Sequence, residues 1–492
     1  SPQDENAGGL SAMSAGLRNS QLRWASKSLS CASVLLLAVL PTMPAAAQTA
    51  AQIDLTKYGA RAVELLQQFL RIDTSNPPGN EKPAAEFLCQ LFTREGIECQ
   101  VFEVAPGRAN AYARLRGDGS KRPIILLTHT DVVTAEAQQW SVPPFSGEIR
   151  DGVLYGRGAQ DTKGEGMAKA MAMIALKRER APLARDIIFL AVADEEVSSV
   201  GTNWMIQHKR ELLAGAEYLI NEGSANVIEG GEVPLWGVDV AEKMPFWLRL
   251  TARGMAGHSS VPARDATTHR LARAVARVVN YETPLKVLPQ AQRELCEQAR
   301  VRFPREVERF CRLEKSLGDP AFRKRLTENP EWNYLLRNTI SLTVLRGGPQ
   351  TNVIPAEASA ELDVRLLPGE DPQRFLAEIR GVIGDPSIEV LPILRPRPAG
   401  ASPTDNELWR VFEQVIARHY SRARLAPRLL ASSTESPMYR QLGIASYGFY
   451  PFACSEAEAD TAHGTNERIS VEAYRRGVRV MHDVVAGIAI RP

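Results

Sequence analysis

The chain has 492 residues, 44% of them hydrophobic and 24% charged, which suits a globular protein large enough for two or three domains. Acids and bases nearly cancel to a formal charge of +2, and no block of Lys or Arg marks a nucleic-acid footprint. After residue 47 no stretch approaches the ~20 consecutive apolar residues of a membrane-spanning helix, so no permanent span is expected there.

The first element is an export signal. Arg18, Arg23 and Lys27 precede the apolar run Ala32–Leu40 (ASVLLLAVL), and Ala45-Ala46-Ala47 supplies small residues before Gln48. That order marks residues 1–47 as a secretory signal peptide with an N-terminal extension, and the mature protein as periplasmic or secreted; a retained N-terminal anchor is the alternative. Beyond the signal lie Cys89, Cys99, Cys296, Cys311 and Cys454. No C-x-x-C occurs, which excludes a zinc knuckle or thioredoxin motif. In an exported chain Cys89 with Cys99 and Cys296 with Cys311 are the sequence-near disulfide candidates, with buried free thiols as the alternative.

From about Leu55 helix and strand patterns alternate. Ala60–Leu70 has helical spacing, and Glu98–Val104 and Asn110–Arg116 read as strands. Ile124–Leu127, Ile187–Ala193 (IIFLAVA) and Tyr218–Ile220 are continuous apolar runs typical of buried central strands, and Lys163–Arg180 is a long Ala/Met-rich helix. This is an α/β pattern, a doubly wound and mostly parallel sheet, in which ligands bind at the carboxyl ends of the strands. At about Glu242 the texture changes. Phe246–Ala252, Ile340–Leu345 and Ala358–Leu366 alternate as half-exposed strands do, with helices over Arg264–Val279 and Gln290–Arg325. We therefore expect a catalytic domain over 52–242, an inserted α+β lid over 243–368, and a return to the catalytic domain over 369–492.

The acids and histidines concentrate where apolar strands give way to loops. His129 and Asp131 follow the Ile124 strand, Glu195 and Glu196 follow IIFLAVA, and Glu222 follows the Tyr218 strand. Asp161 precedes the Ala/Met-rich helix, and His463 lies in Thr461-Ala-His-Gly-Thr-Asn-Glu. Each is weak evidence alone, but together they place two His and several carboxylates on one sheet edge, a donor set suited to divalent ions such as zinc. His208, His269, His419 and His482 lie on helical stretches outside these motifs and are read as ordinary.

The His129-Thr-Asp131, Tyr155-Gly-Arg-Gly-Ala-Gln-Asp161-Thr-Lys-Gly, Asp194-Glu-Glu196, Asn221-Glu-Gly223 and Ala462-His-Gly-Thr-Asn-Glu467 segments, in this order across residues 55–490, resemble the M20 metallopeptidase family, and Trp332–Pro355, Tyr447–Pro451 and His463–Tyr474 resemble its carboxypeptidase S and aminoacylase-like branch. The resemblance implies a zinc-exopeptidase-like fold with a lid/dimerisation domain and two Zn2+ per chain, with Co2+ or Mn2+ as alternatives. By the same resemblance Asp161 bridges the ions, His129 and Glu222 complete one site, and Glu196 and His463 complete the other. Glu195 is implied as the general base that deprotonates the attacking water, and Asp131 as the residue that accepts the second ring N–H of His129. Within Gly257-His-Ser-Ser-Val-Pro262, His258 resembles the lid histidine that stabilises the oxyanion, often from a neighbouring subunit. Asn352 and Arg365 resemble the pair that holds the substrate carboxylate. The implied activity is amide hydrolysis of small peptides, by removal of a C-terminal residue, or of N-acyl amino acids; an inactive binding or dimerisation relative is the alternative. Two positions depart from common family patterns: Glu222 stands where several carboxypeptidases have Asp, and Thr162 where many relatives have Asp, Asn or Met.

Overall fold

The computed structural model describes residues 55–261 and 263–491; the expected signal peptide at 1–47 lies outside them. Its principal strands are β1 (Glu98–Ala105), β2 (Arg108–Leu115), β3 (Ile124–His129), β4 (Ile187–Val192), β5 (Tyr218–Asn221), β6 (Leu235–Glu242), β7 (Leu248–Arg253), β8 (Thr339–Arg346), β9 (Glu357–Leu366), β10 (Ile388–Pro392), β11 (Arg424–Leu430) and β12 (Ala445–Gly448). The larger sheet has eight strands in the order β1-β2-β4-β3-β5-β12-β6-β11. Pairing is parallel from β4 through β3 and β5 to β12, and again between β6 and β11. The β1–β2, β2–β4 and β12–β6 pairings are antiparallel.

The central strands are apolar throughout because both faces are covered. Successive side chains point to opposite faces, so Ile124 and Leu126 join the cluster that includes the Lys163–Arg178 and Val471–Ala489 helices. Ile125 and Leu127 join Met205, Leu213, Met438 and Tyr439 on the other side. The Lys163–Arg178 helix lies almost entirely inside the protein, and its small residues allow close approach to β3. A Cβ on Gly166 would meet Thr128 Oγ1 at 2.8 Å. That contact sets the helix start beside the end of the strand that carries His129.

The second sheet runs β8-β9-β7-β10, antiparallel throughout, and β9 buries alternate residues against one layer of helices. Here the expected boundary at 368 needs correction. The Pro372–Ile383 helix presents Phe375, Leu376, Ile379 and Ile383 at helical spacing to Leu271, Ala274, Val275 and Val278 of the Thr267–Val279 helix. β10 then pairs with β7, so the second sheet and its helix layer continue to Pro392. The helical stretch between Pro289 and Leu336, assigned to the insertion from its position in the chain, packs instead with the core of the large sheet through Leu295, Phe310, Phe322 and Trp332. Glu294 in this stretch accepts the backbone N–H of Leu429 on β11 at 2.9 Å, satisfying an edge-strand donor that would otherwise lie open. Both sequence-near disulfides are formed, Cys89–Cys99 and Cys296–Cys311, and Cys454 is a buried free thiol. No helix among the described residues is long and apolar enough to cross a membrane.

Candidate metal centre

Because β4, β3 and β5 are parallel neighbours, their carboxyl ends open on one edge. His129 is the last residue of β3, Glu195 and Glu196 lie just past β4, and Glu222 follows β5 directly. The Asp161 carboxylate sits between two histidines: Oδ1 is 3.0 Å from His129 Nε2, and Oδ2 is 2.9 Å from His463 Nε2. Glu222 Oε2 lies 3.5 Å from His129 Nε2, and Glu196 Oε1 lies 3.2 Å from His463 Nε2. The donors thus fall into two groups joined by one carboxylate. Glu196 Oε1 is buried, with His463 Nε2 beside it and no well-aligned hydrogen-bond donor, which is the condition of a ligand atom rather than of a structural acceptor. The donor set therefore fits divalent metal ions. Donor atoms of His129, Glu195 and Glu222 also fall within 4.8 Å of one another, as do those of His129, Asp161 and Glu196.

The electrostatics of the centre agree with that fit. The hydrogen bond to Asp161, with the Glu196 carboxylate close by, pushes His463 up to about 10. Burial, reinforced by the charge of Glu222, lifts the Glu195 carboxyl well above the usual range.

Asp131 is placed differently from expectation. His129 Nδ1 meets the backbone carbonyl of Asp131 at 2.9 Å, while the nearer carboxylate oxygen is 3.6 Å away. The carboxylate is occupied by the N–H groups of Glu195 and Glu196, at 3.0 and 3.1 Å, and by the Asn76 amide at 2.8 Å. Asp131 therefore orients the ring of His129 through its main chain, and holds the Glu195-Glu196 turn through its side chain. Asp194, at φ 70°, starts that turn and is tied to Asn76 and Arg108, each at 2.8 Å.

Two residues without an assigned role in the sequence reading lock the remaining loops together. Glu467, fully buried, accepts from the backbone N–H groups of Gly158, Gln160 and Asp161 at 2.9, 2.8 and 3.1 Å, and from Arg157 Nη1 at 2.8 Å. Arg157 Nη2 in turn donates to the carbonyls of His463 and Gly464 at 3.3 and 2.9 Å. His463 itself sits at φ 60°, a left-handed conformation that a non-glycine residue holds only under constraint from its surroundings. Glu467 lies within the quoted Ala462–Glu467 motif, so its position was visible in the sequence although its partners were not.

The centre opens into a cleft of about 790 Å3, lined by Asp161, Glu195, Glu196, Glu222 and His463 together with Arg365, Trp247 and other lid residues. Arg365 reaches this cleft while forking onto Asp363, at 2.7 and 3.0 Å. His258 and Asn352 do not line it. They sit together on the exposed two-residue ladder Gly257–His258/Val353–Ile354 and the turn beside it, where Ser259 N donates to Asn352 O at 3.2 Å. His258 Nδ1 accepts from Ser260 Oγ at 2.7 Å.

Comparison with known proteins agrees with this arrangement. The family model described as peptidase family M20/M25/M40 matches residues 125–487. The N-fatty-acyl-amino acid synthase/hydrolase PM20D1 of Xenopus tropicalis is 31% identical over 435 residues, covering 85% of this chain and 84% of its own. Aminoacylase-1A of Rattus norvegicus is 28% identical over 439 residues, covering 88% and 96%. Among solved structures, the M20 family metallo-carboxypeptidase Sso-CP2 from Sulfolobus solfataricus shares the fold with a TM-score of 0.68 at 19% identity, covering 86% of this chain and 98% of that one. A donor cluster at the carboxyl edge of the sheet, and a family match that runs through the strands and loops bearing it, lead to one conclusion: the chain belongs to peptidase family M20/M25/M40 and is a metal-dependent hydrolase.

Proposed function

We propose that the protein is a two-zinc amidohydrolase that cleaves small peptides or N-acyl amino acids bearing a free carboxylate. The observation that carries this reading is the Asp161 carboxylate, with one oxygen turned to each histidine at 3.0 and 2.9 Å. His129, Asp161 and Glu222 would hold one ion, and His463, Asp161 and Glu196 the other, with cobalt or manganese also suited to the set. Ions held there would supply Lewis acidity toward water and the scissile carbonyl. Glu195, beside the ligands but outside both sets, takes the proton of the attacking water and returns it to the departing amine. Arg365, with Asn352, recognises the substrate carboxylate. The test is hydrolysis of a panel of dipeptides and N-acyl amino acids by the protein beginning at Gln48, with and without a chelator. Cleavage that the chelator stops and zinc restores is expected. A protein that binds two zinc ions and cleaves no panel member would remove the substrate assignment.

The exposed position of His258 and Asn352 supports a homodimer in which the lid of one chain completes the cleft of the other. Mixing inactive His258→Ala and Glu195→Ala proteins should then restore up to about a quarter of the activity, since random pairing leaves hybrids with one intact site. No recovery, after subunit exchange has been verified, would assign each cleft to its own lid. The basic-apolar-small order of residues 18–47 supports export to the periplasm or medium.

A further inference from the structure

The cleft carries more positive charge than the hydrolase reading uses. Five cationic side chains line it: Lys243, Arg365, Arg395, Arg397 and Arg440. Three are already engaged. Arg440 Nη1 lies 3.4 Å from Glu242 Oε1, Arg365 forks onto Asp363, and Lys243 Nζ donates to Arg337 O and Thr339 Oγ1, both at 2.9 Å. Arg395 and Arg397 are different. Among the described residues neither forms an ion pair, and the polar contact of Arg397 is from Nη1 to Met438 Sδ at 3.1 Å.

Their backbone placement points to a purpose. Both lie on the segment that leaves β10 and returns from lid to core, and Ile393 N at its start is anchored to Trp247 O at 2.9 Å. Pro396 and Pro398 flank Arg397 and fix φ on either side, so the side chains are presented from a stiff strap. Glu242 and Asp363 answer Arg440 and Arg365, and Lys243 is held by two neutral acceptors, so Arg395 and Arg397 are the guanidiniums of the cleft without a carboxylate partner among the described residues. A single substrate carboxylate held by Arg365 leaves both unanswered; a second carboxylate on the substrate would meet them.

Resting on the amidohydrolase reading, we propose that Arg395 and Arg397 form an anion subsite that selects substrates with a second carboxylate, an acidic side chain on the amino-acid part. A planar guanidinium pairs with carboxylate in two places, and a hydrogen bond between charged groups inside a cleft is worth about tenfold to a hundredfold in recognition. A neutral amide of the same shape forfeits that gain.

The experiment compares kcat/KM for N-acyl-glutamate and N-acyl-glutamine sharing whichever acyl group the panel favours. The wild-type protein should prefer the glutamate by about tenfold or more, and added salt should erode the preference. In the Arg395→Gln/Arg397→Gln protein the ratio should fall to near one, and Arg397→Glu should shift preference toward N-acyl-lysine. A wild-type ratio near one overturns the proposal, as does a double variant that loses both substrates equally and keeps its ratio. Failure to cleave either substrate, or any other panel member, overturns the hydrolase reading beneath it, so the two failures are distinguishable.

Discussion

Glu195→Gln should lower amide hydrolysis by about 10²- to 10⁴-fold while leaving two metal ions per chain. The residue stands where a base is needed. It follows β4, its backbone N–H is fixed at 3.0 Å on the Asp131 carboxylate, and its side chain lines the cleft beside Glu222 and His129. Its neighbour Glu196 points the other way, to His463, so the two adjacent acids divide into base and ligand. The geometry also defines the rival assignment, because a donor oxygen of Glu195 falls in one group with His129 and Glu222. Metal content separates them. Measured by elemental analysis after dialysis, it should stay at two ions in Glu195→Gln and fall in Glu222→Gln. Loss of an ion from Glu195→Gln would make Glu195 a ligand and leave the base to be found elsewhere.

The residues gathered at the candidate centre were legible because most of them follow continuous apolar runs. Ile124–Leu127, Ile187–Val192 and Tyr218–Ile220 read as buried strands and are strands, and parallel strands bring the residues after them to one edge. What escaped the sequence depends on distant pairing. β6 was not anticipated, since it lies where the composition changes toward the lid, and its fully buried Trp236 and Val238 pack against segments far along the chain. The second sheet's layer runs past 368 to Pro392 because helix Pro372–Ile383 has an apolar face that fits either sheet, and only its contact with Leu271 and Val278 decides. The role of Asp131 shifted for a similar reason. Its spacing from His129 suits a carboxylate–imidazole contact, but the N–H groups of a turn more than sixty residues later claim the carboxylate. The buried pair Arg157–Glu467 spans 310 positions, and nothing local to either residue announces the other.

That pair gives the second large expected effect. Glu467→Ala should cost about 3–5 kcal/mol of stability, because it leaves the Arg157 guanidinium buried without its partner and strips an acceptor from three backbone N–H groups. Against a typical total of about 5–15 kcal/mol the protein should still fold, with a lower denaturant midpoint. The consequence at the centre should be specific. Glu467 fixes the loop that presents Asp161, and Arg157 fixes the carbonyls of the loop that presents His463, so the pair sets the 2.9 Å approach of these two ligands. Removing such supporting contacts weakens metal binding by about 10- to 100-fold. Glu467→Gln should share much of this loss, since its amide would turn a donor toward Gly158 N–H and Arg157. Glu294→Gln provides the control: it disturbs an equally buried carboxylate that holds Leu429 on the β11 edge and has no bond to either loop. Zinc affinity by competition titration should fall in both Glu467 variants and stay unchanged in Glu294→Gln, although all three melt earlier. Unchanged zinc affinity in Glu467→Ala would reduce the pair to an ordinary structural ion pair, and would leave the constraint on His463 at φ 60° to the neighbouring Gln160, Thr461 and Arg468 hydrogen bonds.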